Sequence, residues 1–335
     1  MNATAVHIID ACRSDAAESV VITVGDIRIA VKALPDVMEA YDRFSAFAAV
    51  DDWTGRSDVT ATIHVGTGDA LYRYLPRPDS LHQRRIGRSG AASDLVVALT
   101  GDQPAIYAAT ADRSEAAVAF PDLAGRAWWE RARPLLPAVQ GLLRDTQWRV
   151  LHAAAIGNDA GATLLTGGSH AGKTTLSLTA LLSGHRYFGD DVVAVSLPTA
   201  VRPARVARVY RTARLRLPPL AVLAPLVGEG RLSDEMGEQR SELHLGHRLA
   251  GTSVIGDLTR LVHVDRKGAS APTFGTVSRG RVLATVTSTT LQVGLGDLGH
   301  HSVIAEMCAA LPVSGFDPGG DPTAAVRVLW GDPQW

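Results

Sequence analysis

Hydrophobic and polar positions along this chain follow two different periods, and the change comes near residue 120. Before it, apolar residues alternate with polar ones in short runs separated by glycine-containing turns. SVVITVGDIRIAVKAL alternates around a Gly-Asp turn and predicts a β-hairpin; TATIHVGTGDALYRYL and DLVVALTGDQPAIYAAT repeat strand, turn, strand. Between them, PDVMEAYDRFSAF reads as helical. This spacing predicts one antiparallel sheet in a β-rich (α+β) N-terminal domain over residues 1–120. From residue 121, PDLAGRAWWERARPLLPAVQGLLRDTQW carries helical periodicity interrupted at Pro134 and Pro137, and the expected domain boundary lies just before it.

The remainder alternates differently. VLHAAAIGNDAGATLLTGG predicts strand, turn, strand, loop, and KTTLSLTALLSG a helix stopped at Gly184. YFGDDVVAVSL, TRLVHVDR and PTFGTVS read as further strands. A helix around SVIAEMCAAL, a strand at PVSGFD and a last helix starting near Asp321 complete a mixed α/β domain over residues 121–335.

Composition narrows the classes. With 335 residues, 46% hydrophobic and 20% charged, the chain buries a full core. Lys and Arg number 33 against 34 Asp and Glu, a balance unlike that of a general nucleic-acid binder. Two cysteines without a CxxC pair exclude a disulfide scaffold and a cysteine-rich zinc site and fit a reducing compartment. The N-terminal residues carry no secretory signal, and no apolar run is long enough for a membrane span, so the expected setting is the cytoplasm.

Candidate chemistry centres on LLTGGSHAGKTT, residues 164–175. Gly167, Gly172, Lys173 and Thr174 satisfy G-x-x-x-x-G-K-[ST], preceded by an apolar strand and followed by an amphipathic helix. Glycines let successive N–H groups face an anion, and the helix N-terminus adds positive potential. Lys173 reaches β- and γ-phosphates, and the Thr174 hydroxyl suits Mg²⁺. Gly168, Ser169, His170, Ala171 and Thr175 complete the cofactor-binding loop. A serine-nucleophile reading of GGSHA needs G-x-S-x-G and leaves the Gly-Lys-Thr run unexplained. Asp190 and Asp191 follow the first helix at the start of the next strand. The apolar run VVAV comes after the acids, the reverse of a motor ATPase order. Paired carboxylates can divide metal ligation from proton acceptance; alternatively they cap a turn.

The stretch from His152 through the phosphate loop and Gly184 to Asp190-Asp191 resembles the catalytic core of the HPr kinase/phosphorylase-like family, strongly over residues 150–196. MCAALPVSGFDPGGDPTAAVRVLW is similar to the family's closing helix–strand–helix. The resemblance implies a phosphoenolpyruvate-carboxykinase-like P-loop fold and ATP- and Mg²⁺-dependent phosphorylation of a serine hydroxyl. It implies that Lys173 and Thr174 bind phosphate and metal, that Asp190 is the general base and Asp191 the metal ligand, and that His152 lies beside the site. His170 stands where the family often has Gly. RPARVARVYRTARLRLPP shows no copy of the family's Glu-containing signature, and VDRKGASAP, with Arg266, is the nearest stretch to its phosphorolysis loop. HPr itself is therefore not the expected acceptor; some diverged relatives act on a precursor-peptide serine. Relatives also form homo-oligomers.

Arg202, Arg205, Arg208, Arg211 and Arg214 recur every third residue, followed by Arg216. Arg205, Arg208, Arg211 and Arg266 are candidate substrate residues for an acidic peptide. The competing reading is a solvated face paired with EGRLSDEMGEQRSE. His244, His247, His300 and His301 lack metal spacing. The expectation is a serine kinase acting on a peptide or protein, with the N-terminal domain aiding recognition. Two alternatives are a non-catalytic nucleotide-binding module presenting a peptide to partner enzymes and a small-molecule kinase.

Overall fold

In a computed structural model the described residues are 5–14, 17–52, 59–68, 85–88, 95–99, 105–120, 130, 132–217, 221–227, 230–235, 238–250, 252–292 and 298–331. They build a mixed α/β protein of three sheets and eight α-helices. The chain divides into two compact units, Met1–Thr146 and Gln147–Trp335. Among the described residues no helix is long and apolar enough to cross a membrane.

The first unit contains α1 (Ala5–Cys12), β1 (Glu18–Val24), β2 (Ile27–Ala33), α2 (Pro35–Ala40), β3 (Val50–Asp52), β4 (Ala61–Thr67), β5 (Arg85–Arg88), β6 (Leu95–Leu99), β7 (Ala105–Ala109), β8 (Glu115–Phe120) and α3 (Leu136–Leu143). Its strands are ordered β3-β1-β2-β4-β8-β7-β6-β5. The β1–β2 and β6–β7 pairs are antiparallel, as their alternation predicts, but β2–β4 and β4–β8 are parallel, so the sheet is mixed and not antiparallel throughout. Alternation fixes which face a side chain takes, not strand direction. The residues between β2 and β4 are numerous enough for a parallel crossover. The second strand expected in TATIHVGTGDALYRYL falls on residues 69–84, outside the described residues.

The helix α3 belongs to the first unit, which ends at Thr146. Tyr107 Oη donates to Glu130 Oε2 at 2.7 Å, and Glu130 Oε1 accepts from the Leu135 amide at 2.8 Å. With that buried carboxylate as anchor, α3 packs on β7 and β8. Helical periodicity identifies the helix but not the sheet it covers.

The second unit contains β9 (Trp148–Leu151), β10 (Ala154–Asn158), β11 (Gly161–Thr166), α4 (Lys173–Leu182), β12 (Arg186–Gly189), β13 (Val193–Ser196), β14 (Arg205–Arg208), β15 (Thr212–Arg216), α5 (Ala224–Val227), β16 (Gly230–Glu235), β17 (Glu238–His244), β18 (Ile255–Val264), β19 (Thr273–Gly275), α6 (Arg279–Gln292), α7 (Leu298–Ala310), β20 (Val313–Asp317) and α8 (Pro322–Trp330). The large sheet runs β12-β10-β11-β18-β14-β13-β9, with β20 parallel to the end of β18 and β19 beyond it.

Successive residues of its strands serve opposite faces. Ile156, Leu165 and Val262 pack with α4 and α8, whereas Ala155, Leu164 and Leu261 pack with Val282 and Val286 of α6 and Ile304 and Met307 of α7. The sheet is thus covered on both sides. Trp330 Nε1 and Arg260 Nε both donate to Thr163 Oγ1, at 3.1 and 2.9 Å, and pin α8 to it. Asp321 caps α8 by accepting from the Thr323 amide at 2.8 Å, in line with the expected start.

Two features differ from the sequence expectation. YFGDDVVAVSL forms two strands, β12 beside β10 and β13 between β14 and β9. A separate three-stranded sheet, β15-β17-β16, carries Ala213, Leu215 and Leu243 into the core beneath α4.

Candidate phosphate-binding cleft

The loop between β11 and α4 is shaped by left-handed backbone. Gly167 has φ 149°, His170 φ 62° and Gly172, the residue before α4, φ 101°. A Cβ at Gly167 would stand 2.5 Å from the Val264 carbonyl oxygen, so the close approach of the loop to the end of β18 requires glycine. These bends wrap residues 167–172 around the N-terminus of α4. The first amides of a helix have no intrahelical acceptor and carry partial positive charge, so the loop offers ready donors to an anion. Lys173 is buried, and its Nζ donates to the carbonyls of Gly167 at 2.8 Å and Gly168 at 3.0 Å. Burial lowers its pKa; the charges of Asp190 and Asp191 oppose that shift.

The acidic pair sits in the break between β12 and β13. Gly189 has φ 148°, and a Cβ there would meet Val193 Cγ1 at 2.7 Å. Asp191 has φ 72°, and the Val192 amide donates to the Asp190 carbonyl at 2.8 Å. This tight turn, which needs Gly189, swings both carboxylates toward α4. Thr174 Oγ1 donates to Asp190 Oδ1 at 3.1 Å. Asp190 Oδ2 is buried without a hydrogen-bond partner among the described residues. Burial, and next the charge of Asp191, push the Asp190 pKa up to about 7. His152 lies in the bend between β9 and β10, its amide donating to Thr290 Oγ1 of α6 at 3.2 Å. Its Nδ1 is 2.9 Å from Asp191 Oδ1.

Loop, Asp pair and His152 line one cleft of about 600 Å³. The structure therefore brings residues 169–175, His152, Asp190 and Asp191 together. Of the candidate substrate residues, only Arg266 joins them. Arg205 stacks over Trp148, 5.0 Å from the ring centroid. Arg208 is buried: its Nε donates to the Tyr187 carbonyl at 3.0 Å, and Nη2 donates to Thr252 Oγ1 at 3.0 Å and the Ser253 carbonyl at 3.2 Å. Burial lowers its pKa to about 10. Arg211 lies in the turn before β15, its side chain against Gly246. These three do not line the cleft; Arg214, Arg216 and Arg240 do. Arg214 and Arg216 belong to the repeat seen in the sequence, whereas Arg240 has no sequence signal, because its place follows from β15–β17 pairing.

A second cleft of about 560 Å³ lies across the loop from the first, between residues 168–171 and α6, and Arg266 borders both. Asp317 shapes the segment bearing Arg266, its Oδ2 accepting from the amides of Lys267 at 2.9 Å and Ala269 at 3.1 Å. Ser169 is exposed on the loop, and the cleft's His152 pairs with Asp191, so among the described residues no histidine–carboxylate pair serves Ser169 as a base.

The donor set suits a hard cation carried by phosphates. Thr174 Oγ1, Asp190 and Asp191 offer oxygen atoms of the kind such a cation takes, and Asp190 Oδ2 has no hydrogen-bond partner among the described residues. Among the described residues no group of three or more His, Cys, Asp or Glu could hold a metal by itself. Phosphate oxygens and water would have to supply the rest, the usual condition of Mg²⁺.

No family model matches the chain, and no curated protein matches it. Among solved structures it is similar to the Hpr(Ser) kinase/phosphatase from Coxiella burnetii, at 14% identity and a TM-score of 0.24, over 38% of this chain and 78% of that one. A likeness of that size is weak, and the functional reading rests on the cleft itself.

Proposed function

We propose that the second unit is an HPr-kinase-like, ATP- and Mg²⁺-dependent phosphotransferase that phosphorylates a serine hydroxyl of a peptide or protein. One observation carries this reading: a phosphate loop whose Thr174 donates a hydrogen bond to the buried Asp190, beside the Asp191–His152 pair. In phosphoryl transfer the protein's work is positioning and charge stabilisation.

The loop amides and Lys173 hold the β- and γ-phosphates; on nucleotide binding Lys173 exchanges its two loop carbonyls for phosphate oxygens. Thr174 and Asp191 would hold Mg²⁺, which when bound would neutralise charge on those phosphates. His152 stands beside Asp191, its Nδ1 2.9 Å from Oδ1. Asp190, with a free Oδ2 and a pKa near the working pH, takes the acceptor hydroxyl's proton as its oxygen bonds to the γ-phosphorus and the bond to the β-phosphate breaks, releasing ADP.

The test is transfer of labelled phosphate from γ-labelled ATP to a serine peptide library. The expected result is Lys173-dependent labelling of serine and release of ADP. Tight ATP binding with no ADP formed in the presence of peptide or extract would leave a non-catalytic nucleotide module. Labelling of free amino acids or sugars but not peptides would leave a small-molecule kinase.

A further inference from the structure

Among the described residues of the second unit, two that are not glycine hold left-handed backbone, His170 at φ 62° and Asp191 at φ 72°, and both line the cleft that holds the phosphate loop. Left-handed backbone brings Cβ close to the following carbonyl oxygen, so it costs stability at residues other than glycine. Such positions gather at ligand-binding sites, where the surrounding fold imposes them. The His170 side chain does not hold the loop together. Backbone closes the turn, the Ala171 amide donating to the Gly168 carbonyl at 3.3 Å, and Lys173 Nζ binds the carbonyls of Gly167 and Gly168. The imidazole is exposed and has no hydrogen-bond or ion-pair partner among the described residues. Glycine would serve the backbone at 170 without strain, as it does at Gly167 and Gly172.

The place of that imidazole decides what it meets. His170 lines the cleft with Thr174, Asp190 and Asp191, and it also lines the cleft beside α6, so it stands where the two clefts meet. Asp190 Oδ2, buried and without a hydrogen-bond partner among the described residues, belongs to the same cleft. Thr174 and the acid pair mark the end of a nucleotide that shares a metal and meets the acceptor, which is the terminal phosphate. Loop amides cradle the inner phosphates, and the loop lysine reaches between the outer two. The outer oxygens of the terminal phosphate carry the charge that spreads during transfer, and a further donor aimed at them stabilises it. An imidazole N–H is such a donor.

Resting on the phosphotransfer reading, we propose that the His170 imidazole donates to the terminal phosphate of the bound nucleotide, so that the loop distinguishes a nucleoside triphosphate from a diphosphate and steadies the phosphoryl group as it transfers.

Titration of the full chain with two fluorescent nucleotides in the presence of Mg²⁺ tests this: ADP, and a triphosphate whose β,γ-bridge is an imido group that resists hydrolysis. Binding is read by anisotropy, independently of turnover, and phosphate transfer by label from γ-labelled ATP. The unmodified protein is expected to bind the triphosphate about tenfold more tightly than ADP, the effect of one hydrogen bond to a charged group. His170→Gly keeps the left-handed backbone and removes the ring. It should bring that ratio down to about twofold or less, through loss of triphosphate affinity, and slow transfer about tenfold, while the melting temperature stays close to that of the unmodified protein. His170→Asn, which tolerates left-handed backbone and keeps an N–H donor, should recover part of the ratio. Equal binding of the two nucleotides by the unmodified protein would overturn the proposal. So would an unchanged ratio in His170→Gly, or an equal loss of both affinities, which would make His170 a shaper of the loop alone. Triphosphate preference that depends on His170, without transfer to any peptide, would instead retain the proposal and count against the kinase reading.

Discussion

On β14 the guanidinium of Arg208 is buried and donates to Tyr187, Thr252 and Ser253, and Arg205 lies over Trp148. On β15, Arg214 and Arg216 face the cleft that holds the phosphate loop. The run is regular in sequence, yet its two parts serve different ends: one braces the sheet under the Asp pair, the other charges the wall opposite it. A spacing of three in extended backbone alternates faces, so regular spacing does not make one surface. Which residues reach a ligand depends on which strand pairs where.

The largest effect should come from the wall built by the phosphate loop. Lys173→Ala should lower phosphate transfer about a thousandfold, on the order of 4 kcal/mol at the transition state, and weaken nucleotide binding. Transfer assays and nucleotide titration check this; unchanged nucleotide affinity would leave the loop a structural turn.

Arg208→Ala should destabilise the second unit by about 3 kcal/mol, because it leaves the buried Tyr187 carbonyl without its donor. Arg216→Ala, exposed, should cost less than about 0.5 kcal/mol. Denaturant unfolding of both variants measures the contrast, and equal losses would erase the distinction between β14 and β15.

A further contrast lies in pH. An unfolded aspartate ionises near pH 4, roughly, whereas native Asp190 keeps its proton until about 7. Between those values the native state binds a proton that the unfolded state has lost, so stability should fall as pH rises through that window and level off above it. Asp190→Asn should flatten that slope in unfolding curves taken across the window. Transfer should run the other way, rising as Asp190 deprotonates, and Asp190→Asn should abolish it at every pH. If Asp191→Asn flattens the stability profile instead, the two acids exchange roles.

A smaller change than at Arg208 is expected at Arg205. Arg205→Ala removes a cation–π contact with Trp148 worth about 0.5–1 kcal/mol and should leave phosphate transfer untouched. Impaired transfer would return Arg205 to the candidate substrate residues.

The phosphate loop was legible because its chemistry is local: glycines at left-handed positions, a lysine and a threonine opening a helix all lie within one short segment. The hairpin β1–β2, the helix α4 and the capped start of α8 were legible for the same reason, since turn and cap residues act on their own neighbours. Asp190 and Asp191 were visible as a pair, but their separation of YFGDDVVAVSL into β12 and β13 was hidden, because an apolar run does not show where its strand leaves one neighbour for another.

The sequence by itself determined the loop, the helix behind it and the identity of the carboxylates, through short-range backbone constraints. Only the tertiary structure decided the parallel pairings of β4, the closure of the first unit by α3, and the choice of Arg214, Arg216 and Arg240 over Arg205, Arg208 and Arg211 as the cleft's second wall. The physical reason is common to all three: strand partners and buried faces are chosen by long-range packing, which residue spacing along the chain does not encode.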